Sequence, residues 1–296
     1  MQRIRTVSTC AGNVCYNDFS SQKSIRTFRH VFNTTTITTN GHHTVTTILV
    51  TNDDGVTAPG IQALTEVAKE FGEVVVVAPD KPQSGMGHAI TINATLRVQE
   101  LKSKNDVPVY STTGTPVDCV KLAVNEILDR KPDLILSGIN HGTNASINVI
   151  YSGTMSAAIE GCLEGIPSIG FSLTNHSIDA DFTSAKHYTK KIVPQILENG
   201  LEKGVCLNVN IPDMGINEIA GIRVCRQANA NWIEEFDRRE DPSGRPYYWL
   251  TGHFENYDEK DDTDISALEQ NYVSIVPVQY DLTAYSSLKK LSKLDF

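Results

Sequence analysis

Five short runs of this chain are mainly apolar and rich in β-branched residues: TTILVTN (46–52), EVVVVAP (73–79), DLILSGIN (133–140), PSIGFSL (167–173) and VCLNVNIP (205–212). A strand with one wet face alternates apolar and polar residues. A run with little alternation reads as a strand covered on both faces, the habit of parallel sheets flanked by helices. The intervening segments carry helical signals. Pro59 sits at a plausible first helical position, and Ile61, Leu64, Ala68 and Phe71 then share one face. Pro116 to about Leu128, about Ser152 to Leu163, and residues near 182–198 give three more helices. Shorter strands fall near 96–101 and 107–112. The order predicts an α/β fold, a mostly parallel sheet with helices on both faces.

Beyond about residue 213 the texture changes. GIRVCRQANANWIEEF and GRPYYWLTGHF are long, β-prone and aromatic, and they flank the turn signal DPSG, which predicts a projecting hairpin. A late strand is expected at 271–278 and a Lys-rich terminal helix at 284–294. The expected division is therefore an N-terminal segment outside the fold (1–45), a catalytic core (46–212) and a C-terminal extension (213–296).

Residues 1–45, with the tract NTTTITTNGHHT, are rich in Ser, Thr and Asn and show no sustained period. They carry Arg3, Arg5, Lys23, Arg26 and Arg29 against Asp18 alone, a net of +4, which leaves −13 on the remainder of a chain of formal charge −9. Two readings fit them: a transit peptide, or a reading frame extended upstream of a start near Val45. The second is preferred. So acidic a body argues against a general nucleic-acid binder, which needs a basic face. No apolar run approaches the ~20 residues of a membrane span. The cysteines, Cys10, Cys15, Cys119, Cys162, Cys206 and Cys225, form no CxxC pair, and several lie in apolar segments. Reduced thiols in a cytoplasmic protein are expected.

In open parallel sheets, ligands bind beyond the carboxyl ends of the strands. Three polar clusters fall at such ends: Asn52-Asp53-Asp54-Gly55, the SGMGHAIT stretch from Ser84, and Asn140-His141-Gly142-Thr143-Asn144. Adjacent unpaired carboxylates on a buried strand repel each other and are costly to desolvate. Carboxylate, hydroxyl and amide oxygens suit a hard divalent cation such as Mg²⁺ or Mn²⁺, whereas zinc prefers His and Cys. An Asp in such a place can also be a helix cap or a turn residue; the pair beside two oxygen-rich loops favours metal. YSGTMSAAIEG places Ser152, Gly153 and Thr154 at a helix start, where free N–H groups favour an anion. Thr115, Pro116 and Asp118 form a capping-box variant, as readily structural as functional. His88 and His141 lie inside the clusters. Either could donate a proton to a leaving alkoxide, or simply support its neighbours. His42, His43, His176, His187 and His253 have no chemical neighbours in sequence.

Taken together, VTNDDGVTAPGI, VVAPDKPQSG, GTPVDC, LSGINHGTN and YSGTMSAA resemble the SurE family of survival-protein nucleotidases, over about Thr46 to Val278. The N-terminal 45 residues have no family counterpart. The resemblance implies a Rossmann-like core with a C-terminal extension, often exchanged between subunits of dimers and tetramers. It implies a metal-dependent phosphomonoesterase acting on nucleoside 5'- and 3'-monophosphates, some members also trimming short polyphosphate. By motif match the metal ligands would be Asp53, Asp54, Ser84 and Asn140, holding one ion per subunit. Phosphate contacts would be Asn144 and the Ser152-Gly153-Thr154 turn, with Asp53, Asn144 and Ser152 in catalytic roles. One departure stands out. Many members carry acidic residues and an extra glycine where this chain reads ASINVI (145–150). Trp232, Tyr247, Tyr248 and Trp249 of the hairpin could stack on a base, but oligomer packing is the preferred use.

Three rival functions fit the residues less well. A nucleotide-binding regulator would keep the phosphate cradle and do no chemistry, yet the ligand set is full. An amide hydrolase lacks zinc-suited His ligands in the clusters. A dehydrogenase lacks a GxGxxG joining the first strand to its helix.

Overall fold

The computed structural model describes residues 8–10, 13–15, 45–102 and 106–295. The chain divides into two compact units, residues 1–43 and 44–296. The first contains β1 (Ser8–Cys10) and β2 (Asn13–Cys15), paired antiparallel, strands that the sequence pattern does not predict. The NTTTITTNGHHT tract with His42 and His43 lies outside the described residues.

The second unit is built on a nine-stranded sheet. In chain order its strands are β3 (Thr47–Thr51), β4 (Glu73–Pro79), β5 (Val98–Leu101), β6 (Val109–Thr112), β7 (Leu134–His141), β8 (Ser168–Leu173), β9 (Val205–Ile211), β10 (Gly221–Val224) and β13 (Tyr272–Gln279). Their spatial order is β10-β13-β9-β8-β7-β3-β4-β6-β5. From β9 to β6 every pairing is parallel, as the apolar runs require. Antiparallel pairing enters toward the margins, at β5–β6 and β9–β13. The chain runs outward from β3 through β4 to β6, then returns to β7 on the other side of β3. Strand order therefore reverses between β3 and β7, and a crevice opens beyond their carboxyl ends.

Helices α1 (Pro59–Ala68) and α4 (Thr183–Asn199) cover one face; α2 (Pro116–Leu122) and α3 (Gly153–Leu163) cover the other. Alternate residues of β3 serve the two cores: Ile48 and Val50 pack with Ile61, Leu64 and Ile192, while Leu49 packs with Cys119, Val120 and Ala157. The helix expected to reach Leu128 is α-helical only to Leu122 and continues as a π-turn over Ala123–Ile127. Cys119, Cys162, Cys206 and Cys225 are free and buried, and burial pushes Cys119 and Cys206 up to about 12. These two thiols are inert at neutral pH.

The hairpin is β11 (Ala230–Glu240) with β12 (Pro246–Asn256), eleven residue pairs in register. Its first arm is shorter than the sequence suggested. Residues 221–224 belong to the main sheet, parallel to β13, and the chain then turns out of the sheet. Asp264 accepts hydrogen bonds there from the amides of Ala228 and Ser146, and Asp258 from that of Asn229. A helix not anticipated, α5 (Asp264–Glu269), follows, capped by Thr263. It is too short to show a period. The terminal helix, α6 (Tyr285–Leu291), is shorter than expected.

Gly60, in the first turn of α1, fixes how closely that helix approaches β7. A Cβ there would lie 2.0 Å from the carbonyl oxygen of Ile139. Gly60→Ala is therefore expected to cost about 1–3 kcal/mol in urea unfolding.

Candidate active site

Asp53 and Asp54 follow β3 directly and stand at the reversal of strand order. Asp53 is only 4% exposed. Its Oδ1 accepts a 2.5 Å hydrogen bond from the hydroxyl of Thr154, in the first turn of α3. Gly153 makes this contact possible, because a Cβ there would come within 2.6 Å of Asp53 Cβ. Burial pushes the Asp53 carboxyl up to about 6; the Thr154 hydrogen bond opposes the shift and the neighbouring Asp54 charge adds to it. Ser152 caps α3, its Oγ accepting from the amide of Met155. The amides of Gly153 and Thr154 then have no intrahelical acceptor; that of Thr154 turns to the Asp53 carboxylate, and that of Gly153 is left for an anion.

Asp54 Oδ2 accepts from two nitrogens of one residue, the His141 amide at 3.2 Å and Nδ1 at 2.9 Å. His141 and Asn140 close β7. Asn140 Nδ2 donates to the carbonyl of Gly142 at 2.8 Å, which leaves Oδ1 uncommitted. Asn52 donates through Nδ2 to Gly55, and its Oδ1 is a buried acceptor with no partner. Among the described residues no Lys or Arg pairs with either carboxylate, and no three His, Cys, Asp or Glu side chains converge as a metal cage. The local charge is uncompensated and the further donors are neutral oxygens. This set fits a hard divalent cation held by mixed oxygens.

The third cluster comes from the loop after β4. The amide of Gln83 donates to the carbonyl of Asp53 at 2.7 Å, which ties the loop to the Asp53 backbone one residue before the exposed Ser84. Gly87 donates to the carbonyl of Tyr151 at 3.1 Å, tying the loop to the entrance of α3. Farther along, His88 Nε2 lies 2.9 Å from Glu160 Oε2 on α3, and Lys121 Nζ of α2 lies 2.5 Å from the other oxygen. Burial tends to raise the Glu160 carboxyl, but the hydrogen bonds from His88 and Lys121 outweigh it and hold the group below its usual range. His88 is thus engaged in holding the loop. Thr91 completes the anchor, donating through its amide and hydroxyl to Asp118, the capping-box acid of α2.

Asn144 is more deeply committed than its sequence position indicated. Its amide donates to Asn210 Oδ1, its carbonyl accepts from Asn208 Nδ2, and its own Nδ2 donates to Ser172 Oγ, each at 2.8 Å. It is a buried joint between β7, β8 and β9, with one side-chain N–H left over. Asn208 and Asn210 of β9, Glu160 of α3 and Lys121 of α2 carry no signal in the sequence, since the partners described here lie 39 to 72 residues away. His176 was set aside as isolated, yet a Cβ on Gly142 would come within 2.1 Å of its ring.

With this geometry in place, the sequence profile described as "Survival protein SurE" matches residues 48–234. The chain belongs to the SurE family. It is 63% identical over 247 residues to a protein of Christiangramia forsetii named "5'-nucleotidase SurE", covering 83% of this chain and 95% of that protein. It is 58% identical over 249 residues to the "5'-nucleotidase SurE" of Flavobacterium psychrophilum, covering 84% and 97%. The fold is similar to the crystal structure of the SurE protein from Aquifex aeolicus, with a TM-score of 0.74 and 40% identity over 83% of this chain and 98% of that one.

In this SurE chain burial raises the Asp53 carboxyl from the ordinary carboxylate range to about 6. The native state binds the extra proton, so the group's contribution to stability is full below pH 4 and is lost as pH rises through about 6. The loss is on the order of 1–3 kcal/mol. In chelator-treated protein, Asp53→Asn should melt above wild type at pH 8, with the gap closing toward pH 4. Mn²⁺ should raise the melting temperature of wild type and leave the variant nearly unmoved.

Proposed function

We propose that this chain is a metal-dependent phosphomonoesterase that hydrolyses nucleoside 5'-monophosphates, and also 3'-monophosphates and short polyphosphate, to release phosphate. The single observation that carries the reading is the meeting of Asp53 with the first turn of α3. The 2.5 Å Thr154 hydrogen bond and the bare Gly153 put a seat for a cation against a seat for an anion. A phosphate group needs both. The relatives named as 5'-nucleotidases, matched over nearly their whole length, agree with it.

Asp53, Asp54, Ser84 and Asn140 would hold one Mg²⁺ or Mn²⁺. The chemistry such an ion supplies when bound is neutralised charge on the phosphate oxygens and a lowered pKa for water. The chain's own groups do the rest. The amide of Gly153 and the positive end of α3, oriented by the Ser152 cap, receive the equatorial phosphate oxygens and the charge that develops on them. Asn144 adds its remaining N–H from a position fixed by its three neighbours. Where the ion does not take up both of its oxygens, Asp53 takes a proton from the attacking water. Nothing among the described residues favours a non-catalytic nucleotide regulator.

No helix among the described residues is long and apolar enough to cross a membrane. We place the protein in the cytoplasm, with a catalytic core over 46–212 and an extension from 213 that assembles a homodimer or homotetramer. On the hairpin Phe236 is 67% exposed and Trp249 59%, beside Tyr248 and Leu250. A strand pair bearing such residues needs a covering surface. Size-exclusion with light scattering should show a dimer or tetramer, and Phe236→Ser with Trp249→Ser should shift it toward monomer.

Asp53→Asn should remove most hydrolysis of AMP while leaving the circular dichroism spectrum intact. Near-normal turnover by that variant at saturating Mn²⁺ would overturn the reading.

A further inference from the structure

Asp54 and Asp53 are chemically equal but differently held. Asp53 is gripped from α3 through Thr154, whereas Asp54 is gripped only by His141. Both His141 donors converge on the same oxygen, Oδ2, and among the described residues no donor reaches Oδ1. The ring itself is fixed. It lies edge-on to the buried Phe182, with centroids 5.2 Å apart and planes at 85°. Its other nitrogen, Nε2, is buried without a partner. A hydrogen on Nε2 would be an orphaned buried donor, so the ring hydrogen belongs on Nδ1, facing the carboxylate.

We infer that His141 is a positioning residue that holds Asp54 through Nδ1–H, leaving Oδ1 presented to the cation. The inference rests on the metal reading given above. It assigns the two ends of the carboxylate different work: one oxygen takes the protein's hydrogen bonds, and the other is kept for the ion. Pairings of this kind fix the rotamer of a ligand before the ion arrives, and losing one typically weakens metal binding about 10–100-fold.

Asparagine places an amide N–H where Nδ1 stands, whereas glutamine places its amide near Nε2, out of reach of Asp54. Mn²⁺ affinity is measured by titration calorimetry on the full-length wild type, His141→Asn and His141→Gln, with metal-free melting temperatures alongside. The inference expects His141→Gln to bind Mn²⁺ about tenfold or more weakly and His141→Asn to stay within about threefold of wild type. A role in packing alone would lower both melting temperatures and leave the two affinities alike; that result, or equal affinity in all three proteins, overturns it. Should His141→Gln fail to fold, ¹⁵N-histidine spectra of wild type decide. A hydrogen on Nδ1 supports the inference and one on Nε2 overturns it. If wild type itself binds no Mn²⁺, the metal site fails, and the inference with it.

Discussion

Two negative charges on consecutive residues, at the tip of a strand buried on both faces, set the terms for everything around them. A carboxylate pair so placed is destabilising unless its charge is spread or answered. The fold answers in part, with the hydroxyl and amide of Thr154 in the first turn of α3 and two N–H groups from β7. It does not cancel the charge, since no Lys or Arg reaches the pair among the described residues. The remainder is what the proposed cation would answer. The gap between β3 and β7, created where strand order reverses across the sheet, is where it would sit.

The loop bearing Ser84 faces a different problem. It is long and partly exposed, with Gly85 and Gly87 at positive φ, so local preference alone does not place it. Its position comes from four attachments: Gln83 to the Asp53 carbonyl, Gly87 to the Tyr151 carbonyl, His88 to Glu160, and Thr91 to Asp118. Glu160 remains charged although nearly buried, because a His and a Lys from two different elements converge on it. Anchors at both ends of the loop leave its middle free to meet a ligand.

Much of this could be read in the sequence. Five apolar runs located the parallel strands to within a residue or two, because burial on both faces leaves a composition nothing else leaves. The polar clusters were identified for the same reason, as interruptions at strand ends. What could not be read were the partnerships. Thr154 meets Asp53 across 101 residues, His141 meets Asp54 across 87, and His88 meets Glu160 across 72. No local pattern marks which hydroxyl or imidazole will arrive. The hairpin boundary was misjudged because β10 and β11 share one β-prone composition, and only the hydrogen bonds of Asp258 and Asp264 separate them. Asn144 drew notice as a ligand for its place after β7, and its structural commitment to Asn208, Asn210 and Ser172 was invisible.

The turn leading into α3 is stitched to the base of the hairpin. Ser146, itself at φ +55, donates through its amide to Asp264 and through its hydroxyl to the carbonyls of Ala228 and Ala230. Trp232 Nε1 donates to Asn148 at 2.9 Å. Cutting the polypeptide after Ile211 would spare every strand-tip donor and still strip these partners away. The left-handed bend at Ser146 would lose what holds it, three residues before the chain reaches Val149 and then the helix cap. In this molecule the appendage is part of the scaffolding of the pocket, and trimming it dismantles the doorframe along with the porch.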